Sequence, residues 1–597
     1  MPCNTRPCSR PLGLSRVGWF VLLTTLFAAA SPSRIIAADY DITAFGAIAN
    51  DGVNDLAAIQ AAISAASPGD RIIIPAGTFH VSDSIRPIGD IAIVGAGRDN
   101  TVIRHTGTTS ADGLVRLHAT GVNNVELAGF TLDGQNSLLV QQGMVIGGTG
   151  GHHIHDLRIQ NLTGNTFGSA GIYASFDADN NLIENNEFIN IGVTREFGSG
   201  IRFDHGSEGN LVIGNTITNT GRGGIFFSNG STDSVIRNNT ITGSGLTAEG
   251  LGIEVWGGSH RSVIENNTLD HWLSIDRSNQ VAVRNNTITA TDGTLKFLGI
   301  EVAGGSDIVI QGNDVGAGNE IGLSLSNNTA KERIYVANNT FSESTIWGAQ
   351  LQDGSNGTGE VRQLYFYNNR FEQTVADPLS GYYPPGVGFR FNALDNGGGI
   401  RQIVFDGNQF INNDDAGIQI YTDFGTIDKI SFVGNTLSGN GDSAFIDVLT
   451  FDNLEWDSSN VVTGNAEDNT PTASASTSGF ADNEKPSLLQ IVAPSKVVVG
   501  DAVSFAFLYA DDGDPLPAQV LWDLGEGLPT TELAPIHTFS ELGFYNIALV
   551  AWDAEGRAVH NVVTIEVAAH MPEPSTLVLL VLGGLSLLPL RRKTMVC

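Results

Sequence analysis

"NLIENNEFINIGVTREFGSGIRFDHGSEGNLVIGNTI", residues 181–217, holds one short unit twice: "NLIENNEF" at 181–188 and "NLVIGNTI" at 210–217. The unit recurs as "SVIRNNTI" (234–241), "SVIENNTL" (262–269), "VAVRNNTI" (281–288), "IVIQGNDV" (308–315), "IYVANNTF" (334–341), "LYFYNNRF" (364–371), "IVFDGNQF" (403–410) and "ISFVGNTL" (430–437). Its sixth position is always Asn: 186, 215, 239, 267, 286, 313, 339, 369, 408 and 435. The residues three before and two after that Asn are always apolar. The spacing between units varies from 19 to 39 residues, so the unit is kept while the connections vary, which is the signature of a repeat architecture.

Between the two copies stands "GIRFD" (200–204), and a phrase of this form precedes most units: "GIYAS" (171), "GIFFS" (224), "GIEVW" (252), "GIEVA" (299), "GLSLS" (322), "GFRFN" (388), "GIQIY" (417). Apolar residues alternate in it with free positions, the period of a strand with one buried face. Each repeat thus holds at least two short strands closed by Gly or Asn turns. No repeat can bury its own apolar face. Stacked repeats share one core, with rungs about 4.8 Å apart. The reading is an all-β chain, a right-handed parallel β-helix. The Asn column fits turns that accept left-handed backbone, and its amides suit a bonded ladder from rung to rung.

The start of the array differs. "AFGAIANDGVNDLAAIQAAISAASPGDRIIIPAGTFHVSDSI" (44–85) predicts a helix capped near Asn54 or Asp55, with Ile59 and Ile63 on one face. Pro68-Gly69 stops it and the strand Ile72–Ile74 follows. A helix laid over the open end would shield the first sheet edge. Here the chain resembles the pectate-lyase superfamily: "FGA", "DG…D", "AIQAAI" and "IPAGTF" match the start of its right-handed β-helices. The resemblance covers about residues 40–465. It implies the fold, not one activity, because this fold serves lyases, hydrolases, epimerases, tailspikes and non-catalytic surface proteins.

Residues 466–485, "AEDNTPTASASTSGFADNEK", read as a polar linker. Residues 486–569 then alternate in strand-length runs, as in a small β-sandwich. They resemble a PKD domain through "WDLGEG" (522–527), "HTF" (537–539) and "GFYNIALVAWDAEG" (543–556), with Glu526 where Asp is usual. Such modules serve as spacers or weak carbohydrate or protein binders, and the resemblance would make this one a stalk. Its "DDGD" (511–514) is a solvated loop or a calcium ligand set.

The two ends read as addresses. Residues 1–38 carry arginines, then "VGWFVLLTTLFAAA", then small residues, the order of a secretory signal peptide. Residues 571–597 carry Pro-Glu-Pro, an apolar run from Leu577 to Leu590 and the cluster Arg591, Arg592, Lys593. By hydropathy this is a short membrane segment with a positive stop. It resembles the PEP-CTERM sorting signal of bacteria, which implies export, a transient C-terminal membrane segment, processing by an exosortase-type machinery and delivery to the cell surface or extracellular matrix. The ends hold seven basic residues and one acidic, which leaves 24 basic and 62 acidic between them, a balance of −38. That excludes nucleic acid as a partner, because it demands a basic face. The cysteines, at 3, 8 and 597, lie only in the ends, so the body has neither disulfides nor thiol chemistry.

Candidate chemistry follows from the alternation. Ile201 and Phe203 point inward, so Arg202 and Asp204 point out. The same outer face carries Tyr173, Glu254, Trp256, Asp276 and Glu301, flanked by His205, Trp272, Arg277 and Lys296; further on it turns neutral, with Arg390 alone charged. Carboxylates beside aromatic rings suit a saccharide cleft. Arg202, Asp204, Glu254, Asp276 and Glu301 are the candidate catalytic residues; Tyr173, His205, Trp256, Trp272, Arg277 and Lys296 are the candidate substrate-binding ones. Glu254 and Glu301, two rungs apart, approach the spacing of an inverting glycosidase pair. A lyase would need a base such as Arg277, Lys296 or His205 and a cation to neutralise a uronate. The Asp-Asp and Arg-x-Lys signatures of polygalacturonases are missing, as is a clear lyase Lys/Arg pair. Two readings stay open: an exported protein that binds and cleaves extracellular polysaccharide, and a non-catalytic surface or matrix protein. The residues specify no cofactor, though such an acidic face would accept calcium. The insertion "DPLSGYYPPGVG" (377–388) is the best candidate for a cleft wall.

Overall fold

The computed structural model describes residues 37–569, except 109, 165–168, 248–249, 291–295, 327–328, 355–358, 378–384, 395–396, 423–424, 448–451, 472–484 and 512–514. The signal peptide reading, the sorting tail, most of the linker, the insertion around 378–384 and most of "DDGD" lie outside the described residues.

The repeat folds as a parallel β-solenoid. Three parallel sheets of 16, 15 and 13 strands run the length of the array. Each unit supplies one strand to the first sheet before its Asn and one to the second sheet after it. The "GIRFD" phrase supplies the third. Equivalent residues stack in register: Ile183, Val212, Ile236, Ile264, Val283 and Ile310 in the first sheet. Phe188, Ile217, Ile241 and Leu269 do so in the second, and Ile172, Ile201, Ile225 and Ile253 in the third. All belong to one continuous apolar core.

The Asn column forms the ladder. Asn267 Nδ2 donates to Asn286 Oδ1 at 2.9 Å, and Asn286 Nδ2 to Asn313 Oδ1 at 3.0 Å. The same bond joins every consecutive pair from Asn186 to Asn435 and continues to Asn460. Each Oδ1 also accepts the backbone N–H of the preceding ladder Asn, as Asn286 Oδ1 does from Asn267. Each Nδ2 reaches a backbone carbonyl on an earlier rung, as Asn286 does to Ile264. The left-handed backbone lies one residue earlier than expected. The fifth position of the unit, Asn or Gly in all ten copies, has φ between 51° and 67°. The two jobs are divided: the fifth residue turns the chain, and the sixth bonds the rungs.

At the N-terminal end a helix spans Leu56–Ala65 and turns Ala58, Ile59, Ala62 and Ile63 into the core. Asn54 caps it, accepting Leu56 N at 3.2 Å. Asp55 caps nothing; its carboxylate accepts Ile48 N and His80 N and so ties the helix to the first rungs.

Residues 488–568 form eight further strands, in one four-stranded and two two-stranded sheets, around a core with Phe505, Trp522, Phe539, Leu549 and Ile565. This part does not stand off as a stalk. Leu521, Ala548, Val550, Trp552 and Ala558 share an apolar cluster with Val309, Tyr335, Tyr365 and Val404 of the first sheet's outer face. Arg284 meets Asp523 at 2.6 Å with both side chains almost wholly buried (1% and 0% exposed), and also donates to Gly527 O. His560 sits among the rings of Tyr335, Tyr365 and Tyr367 and bonds the Tyr335 hydroxyl at 2.8 Å. Burial pulls its pKa down to about 3.

The ladder makes a test at adjacent positions. Asn286→Gly should destabilise the protein by about 3 kcal/mol or more, because it leaves buried donors and acceptors on two rungs unpaired. Asn285→Gly should cost almost nothing, because four other units already carry Gly there. Urea unfolding of both variants checks this; equal losses would contradict the division of labour.

Candidate functional site

The outer face of the third sheet carries two columns of side chains. In the first, Tyr173, Arg202, Phe226, Glu254, Ser274, Glu301 and Ser324 stand in register on successive rungs. In the second, Ser175 pairs with Asp204, and Trp256 with Asp276. The four expected carboxylates therefore share the face but not one column.

The face begins with a cationic zone. The Arg202 guanidinium lies 4.6 Å over the Phe226 ring, and Arg222 lies over the same ring and over Phe197. Burial pulls the pKa of Arg202 down, against the opposing pull of Asp204 and Glu254. Asp204 accepts from Asn229 Nδ2 at 2.7 Å and lies 3.2 Å from His205 Nδ1. Gln141, Gln142, Tyr173, Phe197, Arg202 and Asp204 line a cleft of about 300 Å³, the lower end of the range for small-ligand sites. Burial, then Asp204, raises the pKa of Tyr173.

The acidic zone follows. Glu254 and Glu301 stand two rungs apart, about 10 Å between backbones. Ser274 lies between them and donates to Glu301 Oε2 at 2.6 Å. Burial pushes both carboxyls above the usual range. Arg222, 3.8 Å from Glu254, and Arg202 pull Glu254 back down; the Ser274 bond and Lys331 do the same for Glu301. Half-buried carboxyls raised in this way, with different partners, suit proton transfer.

The remaining candidates divide. His205 is exposed and stacks on Phe176 at 4.8 Å. Arg277 pairs with Asp276 at 2.8 Å and lies 5.1 Å over Trp256. Trp272 is turned away instead, packed beside Phe297 and the apolar cluster of Leu298, Ile321 and Trp347. Lys296 is buried at the far end of Glu301's strand, beside Asn319, about 16 Å along the chain from that carboxylate. The lysine that acts on Glu301 is Lys331, wholly buried, with its pKa pulled down by burial to about 8. Among the described residues no group of His, Cys, Asp and Glu converges as a metal site.

Residues 40–275 match the family model described as rhamnogalacturonase A/epimerase, pectate lyase-like. Residues 233–371 and 271–466 match the right handed beta helix region model, and residues 483–568 the PKD domain model. Mannuronan C5-epimerase AlgE1 of Azotobacter vinelandii is 35% identical over 113 residues, 17% of this chain and 8% of that protein. The pre-neck appendage protein of Bacillus phage phi29 is 31% identical over 122 residues, 20% of this chain and 14% of that protein. The chain thus spans far less than two thirds of the curated relatives it matches. The solved A-module of Azotobacter vinelandii mannuronan C-5 epimerase AlgE6 aligns over 71% of this chain and 99% of its own, with 18% identity and a TM-score of 0.39.

A titration tests the burial of Lys331. Above pH 8 the folded protein releases the proton, while the unfolded chain keeps it to about 10.5, so stability should rise with pH across that window by about 3 kcal/mol in all. Urea unfolding at pH 8.0 and 9.5 should show the parent gaining about 2 kcal/mol on Lys331→Met. Parallel stabilities would mean that the ammonium is solvated.

Proposed function

We propose that the outer face of the third sheet binds an extracellular polysaccharide and that Glu254 and Glu301 form its acid–base pair. One observation carries this reading: two half-buried carboxyls, both raised in pKa, stand on alternate rungs of one column beside arginines and aromatic rings. Sugar rings stack on aromatic faces, and raised carboxyls shuttle protons to glycosidic oxygens. The pectate lyase-like and epimerase matches support a saccharide ligand. The reaction reads as hydrolysis or lyase-type elimination, and the pair's two-rung spacing favours hydrolysis.

A second reading, a non-catalytic surface or matrix protein, draws on one feature: the cleft of about 300 Å³ lies around Arg202 and Asp204, not at Glu254 and Glu301. In both readings the leader 1–38 and the tail 571–597 support export and delivery to the surface by exosortase-type machinery, and the helix Leu56–Ala65 serves as the cap of the array. The C-terminal strands, as a β-sandwich, brace the first sheet.

The parent and the double variant Glu254→Gln, Glu301→Gln should be compared on a panel of neutral and acidic polysaccharides, following reducing ends, unsaturated products and retention. The proposal expects turnover to fall at least 10³-fold while retention persists. Retention without turnover in the parent, lost in the variant, selects the non-catalytic reading. A variant that equals the parent in both would place the site elsewhere.

A further inference from the structure

Most arginines of the solenoid are tied to a carboxylate: Arg104 meets Asp133 at 3.0 Å, Arg158 meets Glu187 at 2.7 Å and Arg333 meets Asp307 at 2.6 Å. Arg202 is not. Among the described residues its guanidinium makes no ion pair and no hydrogen bond. It is placed by the Phe226 ring, 4.6 Å away on the next rung. That attraction holds the cation and leaves its five N–H donors uncommitted. The neighbouring carboxylate is engaged elsewhere: one oxygen of Asp204 accepts Asn229 Nδ2 at 2.7 Å and His205 N at 2.9 Å. The donors are not closed off either, because Arg202 is half-buried and lines the cleft of about 300 Å³ together with Tyr173, Phe197 and Ser199. The Ser199 hydroxyl is wholly buried in that wall and has no partner among the described residues. Unused polar groups therefore gather in one cavity beside aromatic rings.

We propose that Arg202 grips an oxyanion carried by the glycan, a carboxylate or a sulfate ester, and so makes the cleft select acidic over neutral polysaccharide. The inference rests on the reading of this face as the glycan site. A guanidinium fork meets two anionic oxygens in one plane, which an ammonium cannot do. The acidic body repels an anionic chain at long range, so such a ligand needs a local cation. Arg222, over the same ring, adds a second. Arg202 stands two rungs before Glu254, with Phe226 between them, about 10 Å along the column. That place suits a sugar next to the one on which the pair acts. A guanidinium also keeps its proton at any working pH and serves as neither acid nor base, so Arg202 is a binding residue. The competing role is packing alone, a cation that covers the Phe226 ring.

The full-length parent, Arg202→Gln and Arg202→Lys are titrated by calorimetry with oligogalacturonate, sulfated dextran and neutral dextran. The parent should bind one of the anionic probes at least tenfold tighter than the neutral one, and which probe it is separates carboxylate from sulfate. Arg202→Gln should lose that preference. Arg202→Lys should keep only part of it, because the charge stays and the fork does not. A parent that binds the neutral probe as tightly as both anions overturns the proposal while the glycan reading stands. A preference that survives in Arg202→Gln overturns it too, because packing is then the whole role. Should Arg202→Gln fail to fold, Arg202→Lys decides: a loss of threefold or more supports the grip, and an unchanged preference overturns it. If no polysaccharide binds the parent, the glycan reading fails, and free galacturonate and inorganic sulfate decide the cleft. A rise in melting temperature that the parent shows and Arg202→Gln lacks keeps the oxyanion site; no such rise overturns it.

Discussion

The array from residue 186 to 460 depends on one repeated bond, from the side-chain amide of one asparagine to that of the next rung. The spacing from one unit to the next varies from 19 to 39 residues, so chain length alone cannot set the register. A one-residue slip in any strand would swap its core and solvent faces. The buried amide prevents the slip. It donates up the stack and accepts from the rung below, and a misplaced rung would leave these groups unpaired in an apolar core. Only a side chain with both a donor and an acceptor at its tip passes the bond on in this way. Asp would lack the donor, and Gly has neither.

Register, once held, turns a sequence scattered over 130 residues into a surface. Tyr173, Arg202, Phe226, Glu254, Ser274 and Glu301 become a column because six strands keep step. The column passes from a cationic, aromatic zone to an acidic one, and its charges lie close enough to set one another's protonation. The first sheet uses the same register differently. Its outer face turns from Glu126 and His153 on early rungs to Val309, Tyr335, Tyr365 and Val404 later, and the C-terminal strands cover that apolar stretch. The buried Arg284–Asp523 pair fixes where they sit, because either charge alone in that interface would be costly.

The repeat and its strands were legible because their signals are local: alternation, turn residues and the invariant Asn. The outer-face residues followed from alternation alone. What failed depends on where a rung ends. Trp272 and Lys296 lie before the alternating part of their strands, where the chain still packs against neighbouring rungs, so parity did not place them. Arg222 stands in "TGRGG", which reads as a plain turn, and Phe197 in the polar stretch "TREFGSG". Lys331 begins "KERIYVA", three charged residues that read as solvated, yet the first of them is wholly buried. The docking of the C-terminal strands left only a faint trace, the tyrosines at 335 and 365 on a position that other units fill with Leu, Val, Ala or Ser.

The central claim is that the third sheet's outer face, not the C-terminal strands, meets the polysaccharide. Hydrogen–deuterium exchange with and without a bound oligosaccharide tests it most directly, because each strand of that face reports as its own peptide. The account predicts slowed exchange in residues 199–204, 223–227, 251–256, 273–276 and 296–302, with the first and second sheets unchanged. Protection confined to residues 488–568 would contradict it.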